Sequence, residues 1–271
     1  MTRLLTYAVV ITALLAGAFY IGRSDQLPAK YDNSETQKLV HEMIAAHGGM
    51  QIWNEASTIS YSHDMVDPSR PDDHWYSEEV HLQGKRYCYQ DWTIDSATLV
   101  NNGEKIWTTD WKRGNPPSMM AGISYFFINI VWMTQDEIAR LQMKSDTVVS
   151  IIEPEKTLHQ VRLQFVGSSP HEYFDLMIDE DTKMLRGVKY TVVHQDLFKV
   201  FGVPEDTKFL GPLLKVYKSY TDVEGIKMPT RYDTYKLSGE NYGIHTVSNY
   251  SLSRRFDYRR LALEENSVVF D

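Results

Sequence analysis

The stretch "HDMVDPSRPDDHWYSEEVH", His63 to His81, gathers the side chains best suited to chemistry. His63, Asp67, Asp73, His74, Glu79 and His81 offer imidazole and carboxylate ligands that would meet across a hairpin. Such a set can hold a zinc-type ion and activate a water for hydrolysis. A solvated hairpin end has the same composition, and Pro68 and Pro71 favour that reading. In "HEMIAAH", His41 and His47 lie about 120° apart around a helix of about 3.6 residues per turn, so they cannot chelate one ion together. His47-Gly48-Gly49 resembles the start of an oxyanion-hole loop. No G-x-S-x-G elbow supplies a nucleophile, and no further glycine follows Gly49, so the two glycines read as a helix stop. Phosphate-loop and dinucleotide fingerprints are absent from the sequence. Cys88 is the sole cysteine, so no intramolecular disulfide forms. Its aromatic neighbours in "RYCYQDW" mark it as a small buried hydrophobe on a strand.

The segment "AGISYFFINIVWM", Ala121 to Met133, is apolar nearly all round and too short to span a bilayer. It reads as a buried element plugging a sheet, or as a wall over an apolar cavity. In the second case Phe126, Phe127, Ile130 and Trp132, with Trp107, line the cavity. This chemistry is burial of apolar surface and needs no catalytic residue, metal or cofactor.

The elements that must position these residues follow from composition and period. Of the 271 residues, 12% are aromatic, which favours pleated, half-buried surfaces. The net charge of −8 repels a phosphate backbone and excludes nucleic acid as a partner. Leu4 to Gly22 carries no charge and reads as a signal peptide or a signal anchor. Its length favours an uncleaved transmembrane helix through residues 4–22, while Ala16-Gly17-Ala18 offers a cleavage site near Ala18. Leu15-Ala16-Gly17-Ala18 resembles a lipoprotein signal box with Ala where the lipidated Cys would stand, which removes lipidation there. Either way the remainder works outside the cytoplasm, in a periplasm or an equivalent space. The expected organisation is 1–23 signal or anchor, 24–33 linker and 34–271 one domain.

Ser34 and Gln37 predict a capping box opening a helix that ends at Gly48-Gly49, and Met50 to Glu55 adds one more turn. The period then changes to two, with Ile59, Tyr61 and Met65 on one face. Hairpins are predicted at Asn102-Gly103, at "DEDTK" and at Glu224-Gly225. Thr134 and Glu137 predict a second capping box, opening a short helix through about Leu141. "TVVSIIE" and "TLHQVRLQFV" read as strands, and "HQDLFKVFGVPEDTKFLGP" as an insertion with a helical turn. About ten strands at meander spacing, without βαβ alternation, predict one strongly curved antiparallel sheet carrying helices on one face.

Three patches in this order resemble the superfamily of periplasmic lipoprotein-sorting chaperones (LolA/LolB-like). They are the helix ending in His47-Gly48-Gly49 with Trp53 and a strand, the Asp179 to Thr182 hairpin turn, and the set Tyr220, Val223, Gly225 and Pro229. The resemblance implies an unclosed β-barrel with helices lining its concave side. It also implies binding of acyl chains, whether of a lipid or of an acylated protein, without catalysis. Two other classes remain open on the residues alone: a metal-assisted hydrolase using the His63 to His81 stretch, and a cell-envelope domain whose aromatics fill it solid.

Overall fold

The computed structural model describes residues 29–83, 87–113, 115–145, 156–193 and 209–270. The apolar segment 4–22, the strand expected at "TVVSIIE" and residues 194–208 of the insertion lie outside them.

Helix α1, Ser34–Ala46, is capped by Asn33, whose Oδ1 accepts from the Thr36 backbone N–H at 2.8 Å. The cap therefore sits one residue before the expected Ser34. Asn33 has the extended backbone that an N-cap needs (φ −157°, ψ 173°), and Ser34 is already helical. Leu39, Val40, Met43 and Ile44 form the buried stripe of α1. The helix stops where expected, with Gly48 at φ +100° and Gly49 at φ +82°. One short turn follows as α2, Gln51–Glu55.

Among the described residues the chain then forms strands β1 (Thr58–Asp67), β2 (Arg70–Leu82), β3 (Tyr87–Trp92), β4 (Ala97–Asn101) and β5 (Ile106–Thr109). Two helices follow, α3 (Pro117–Met120) and α4 (Ile123–Met133). Strands resume as β6 (Ala139–Ser145), β7 (Leu158–Phe165), β8 (Tyr173–Asp179) and β9 (Leu185–Val192). The last are β10 (Leu210–Val223), β11 (Ile226–Lys236), β12 (Asn241–Leu252) and β13 (Val268–Phe270).

These 13 strands make one antiparallel sheet in the order β13-β5-β4-β3-β2-β1-β12-β11-β10-β9-β8-β7-β6. It is open and curved, with the helices on its concave side. The β1–β12 pairing joins the start of the strand region to its end, for example Met65 opposite His245. The β6 edge is covered by residues 30–32: Leu141 donates to Lys30 O at 2.8 Å, and Asp32 donates to Leu141 O at 3.1 Å.

The helix expected from Thr134 to Leu141 does not form. Thr134 is in αR conformation and closes α4, with its hydroxyl donating back to Val131 O at 2.6 Å. A side chain spent backwards cannot cap forwards, and Ala139 onward becomes β6.

The three family-like patches have structural reasons. Asp179 Oδ1 accepts from the N–H groups of Asp181 and Thr182 and from the Thr182 hydroxyl, an Asx turn that closes β8 onto β9. Glu224 and Gly225 both have positive φ, as a two-residue hairpin loop requires. The helix stop docks on that loop: Lys227 N–H donates to His47 O at 3.0 Å. A Cβ on Gly48 would lie 2.2 Å from Gly225 O, so only glycine permits the approach.

Candidate ligand-binding site

Period-two geometry sends every second residue of β1, β2, β10, β11 and β12 to the concave face. On most strands these are apolar. Across the middle of the sheet, however, the inward row is ionisable: Glu79 on β2, His63 on β1, His245 on β12 and Lys215 on β10. All four are buried. A partly open cavity of about 130 Å³ lies between this row and α3–α4. Its apolar walls include Met119, Met120 and Ile123 from the helices and Leu210 and Leu213 from β10. Phe127, Tyr232, Thr234, His245 and Lys215 also line it, with Ser124 and Asn115 among its polar groups.

The row is connected. Lys215 Nζ donates to Thr234 Oγ1 at 2.9 Å and lies 3.4 Å from His245 Nε2. His245 Nδ1 is 3.1 Å from His63 Nε2, and His63 Nδ1 is 3.9 Å from Glu79 Oε1. With Lys215 protonated, an ammonium only donates and a carboxylate only accepts, and one arrangement of the two rings satisfies both ends. With His245 Nε2 accepting, its Nδ1–H donates to His63 Nε2, and the His63 Nδ1–H faces Glu79. Glu79 is otherwise saturated. It accepts from Ser77, His81, Ser124, Gln90 and Tyr61 at 2.7–3.1 Å.

Burial raises the Glu79 carboxyl, but the His81 hydrogen bond and charge, with His63 and Ser124, outweigh it and hold the group below its usual range. Burial pushes His245 far down, and Lys215 and His63 push it further. His63 is also lowered, by burial first. Lys215 is lowered to about 7 by burial alone. Its Nζ sits 4.5 Å from the Phe127 ring centre and 4.9 Å from that of Tyr232. Among the described residues no carboxylate forms an ion pair with it.

The residues expected to line a cavity are distributed as follows. Phe127 faces the cavity. Phe126 packs in the core against Phe127, Phe165 and Phe174, and Ile130 is fully buried there. Trp132 stacks on Trp53 at 4.8 Å, and its indole N–H donates to Gly49 O at 3.0 Å. Trp107 is buried on β5 between β4 and β13, opposite Val100 and Val269. Cys88 is buried, its Sγ against Ala121 O at 3.2 Å, and burial raises its thiol.

The metal-hydrolase set divides. His63, Glu79 and His81 point inward and are spent on one another. Asp67 is held in its turn by Ser69 and Arg70, Asp73 pairs with Arg70 and Arg113, and His74 pairs with Asp64 at 2.8 Å. Among the described residues no three His, Cys, Asp or Glu side chains are placed to hold a metal ion.

No family model matches the sequence, and no curated protein matches it. Solved structures do match the fold. A LolA superfamily protein from Nitrosomonas europaea superposes over 84% of this chain and 97% of its own, with a TM-score of 0.52 and 9% identity. The fold is similar to that of this LolA superfamily protein. A DUF1329 family protein from Desulfovibrio piger matches over 84% of this chain and 97% of its own, at TM-score 0.51 and 9% identity. An outer membrane lipoprotein-sorting protein domain from Vibrio parahaemolyticus matches over 84% and 96%, at TM-score 0.50 and 9% identity. The expected unclosed sheet with helices is therefore the LolA-like one.

Within this LolA-like frame, sequence reasoning missed Lys215, His245, Tyr232 and Thr234. A signal was present. Leu213, Lys215 and Tyr217 share one strand face, as do Ile59, Tyr61, His63 and Met65, so parity alone places Lys215 and His63 indoors.

Proposed function

We propose that this LolA-like domain binds an apolar ligand, the acyl chain of a lipid or of an acylated protein, and acts outside the cytoplasm. Residues 4–22 would tether it to the membrane, and 34–271 would form the binding domain. The reading is one of binding without catalysis. The cavity at the concave face is the observation that carries it. Phe127, Met119, Met120, Ile123, Leu210 and Leu213 present an apolar surface that the core leaves unfilled. Burial of acyl surface there is worth about 25 cal/mol per Å², before ordering costs.

Ligand pockets usually enclose about 300–1,000 Å³, so about 130 Å³ takes only a short apolar length. Longer chains need α3 and α4 to shift, and the thioethers of Met119 and Met120 make that wall easy to re-form. Phe126, Ile130 and Trp132, packed behind Phe127, would become lining on such a shift; Trp107 would serve only at the β5 end. Native mass spectrometry of the gently extracted full chain tests the proposal, together with uptake of a fluorescent fatty acid. Co-purifying lipid or saturable uptake is expected. Absence of both refutes it and favours a domain with a filled core, the reading that the small volume supports.

A further inference from the structure

We infer that the cavity is built for a ligand with a carboxylate head, which Lys215 Nζ receives while the helices and β10 hold its apolar chain. The inference rests on the acyl-binding proposal and narrows it to free fatty acids. Three observations carry it. Lys215 is a buried cation on a cavity whose helix and β10 walls are apolar at Met119, Met120, Ile123, Phe127, Leu210 and Leu213. Its donors are under-used: Thr234 Oγ1 and His245 Nε2 accept, the rest of its surroundings are aromatic faces, and no carboxylate among the described residues pairs with it. The third is adjacency: the apolar side chains Met119, Met120, Ile123, Leu210 and Leu213 line the same cavity as the cation, so one ligand can meet both with its chain and its head.

A buried ammonium without a counter-ion costs stability unless something binds it. The only carboxylate on the connected row, Glu79, stands beyond two imidazoles and is already filled by five donors. With its Nδ1–H turned to His63, His245 presents Nε2 as an acceptor to Thr234 at 3.0 Å and to Lys215 at 3.4 Å. The ammonium is thereby held in place with donor capacity to spare for an incoming oxygen.

Binding is then linked to protons. The ionisable groups facing Lys215 are His245 and Tyr242 of β12, Tyr232 of β11, Tyr190 of β9 and, through His245, His63 of β1. The tyrosines are all raised by burial and stay neutral, and both histidines are lowered. Lys215, at about 7, is the group that takes up a proton when a carboxylate arrives above neutrality.

Titration calorimetry of the full chain with decanoate, 1-decanol and decylamine tests this. Decanoate is expected to bind on the order of tenfold or more tighter than 1-decanol, with decylamine weakest. In buffers of different ionisation enthalpy, decanoate should take up close to one proton near pH 8.5 and almost none near pH 5.5. Lys215→Met should abolish both the preference and the uptake, and a cooperative urea transition shows that the variant is folded. Equal binding of decanoate and 1-decanol, or uptake unchanged in Lys215→Met, overturns the carboxylate inference and leaves acyl binding standing. Failure of all three ligands overturns both.

Discussion

Lys215→Met should make this protein more stable, and by an amount that depends on pH. The lysine has a folded value of about 7 against 10.5 when free, through burial. Because the folded value is lowered, the unfolded chain binds more protons between these limits, and stability rises with pH across that window. Below about pH 7 the folded ammonium is charged and the full cost is present. The distance from 10.5 to about 7, at about 1.4 kcal/mol for each pH unit, makes about 5 kcal/mol. Methionine removes that cost but also the hydrogen bond to Thr234, worth about 1–2 kcal/mol. Thr234 and His245 keep their own contact at 3.0 Å, so neither is stranded. The net expectation is a gain of about 3 kcal/mol at about pH 6, shrinking toward zero by about pH 9. Urea unfolding of both proteins at these two pH values measures it. A variant less stable than its parent at about pH 6, or a gain equal at both, refutes the reasoning, because either result means that Lys215 already has a counter-charge.

Gly48→Ala should cost several kcal/mol, because its Cβ would strike Gly225 O and the backbone is at φ +100°, while Gly49→Ala should cost about 1 kcal/mol, since nothing lies within 4 Å; similar losses in thermal unfolding would contradict the docking of the helix stop on the hairpin. Burial lowers His47 to about 4, and its Nδ1 donates to Met43 O at 2.8 Å. Stability should therefore fall by about 3 kcal/mol as pH drops from about 6.5 to about 4, and His47→Gln should flatten that slope; an unchanged slope would show that His47 is not its source. Glu79→Gln should cost about 3 kcal/mol near pH 7, and the gap to the parent should narrow in acid, because a lowered carboxyl gives stability that is lost as it protonates; a constant gap from about pH 7 to about pH 3 would argue that Glu79 is neutral in the fold.

Much of the fold was legible because its signals are local. Glycines at Gly48-Gly49 ended α1, and Glu224-Gly225 turned β10 into β11, since positive φ is a property of one or two residues. The segment Ala121 to Met133 reads as a buried plug or as a cavity wall; eight of the 11 residues of α4 are buried, and Ile123, Ser124 and Phe127 line the cavity. Thr134 misled because its hydroxyl has carbonyls behind it as well as amides ahead, and sequence does not say which it takes. β13 was invisible because a short pairing with β5 is decided by a distant strand and not by its own period.

The candidate site was harder to read for a different reason. Its four ionisable residues come from β2, β1, β12 and β10, and the His63–His245 contact spans 182 positions. Strand parity gives the face of each residue but not its neighbours, which depend on the order of strands in the sheet. Local rules did contain a warning, because Lys215 lies on the same face as Leu213 and Tyr217, where a charge is out of place. A sequence that keeps such a residue gives up stability at that point, and places of this kind are where function is expected. The hairpin His63 to His81 drew attention for its ligands, yet only its inward half matters to the cavity. His63 and Glu79 matter there as the far end of a row that holds Lys215 in place, with donors to spare.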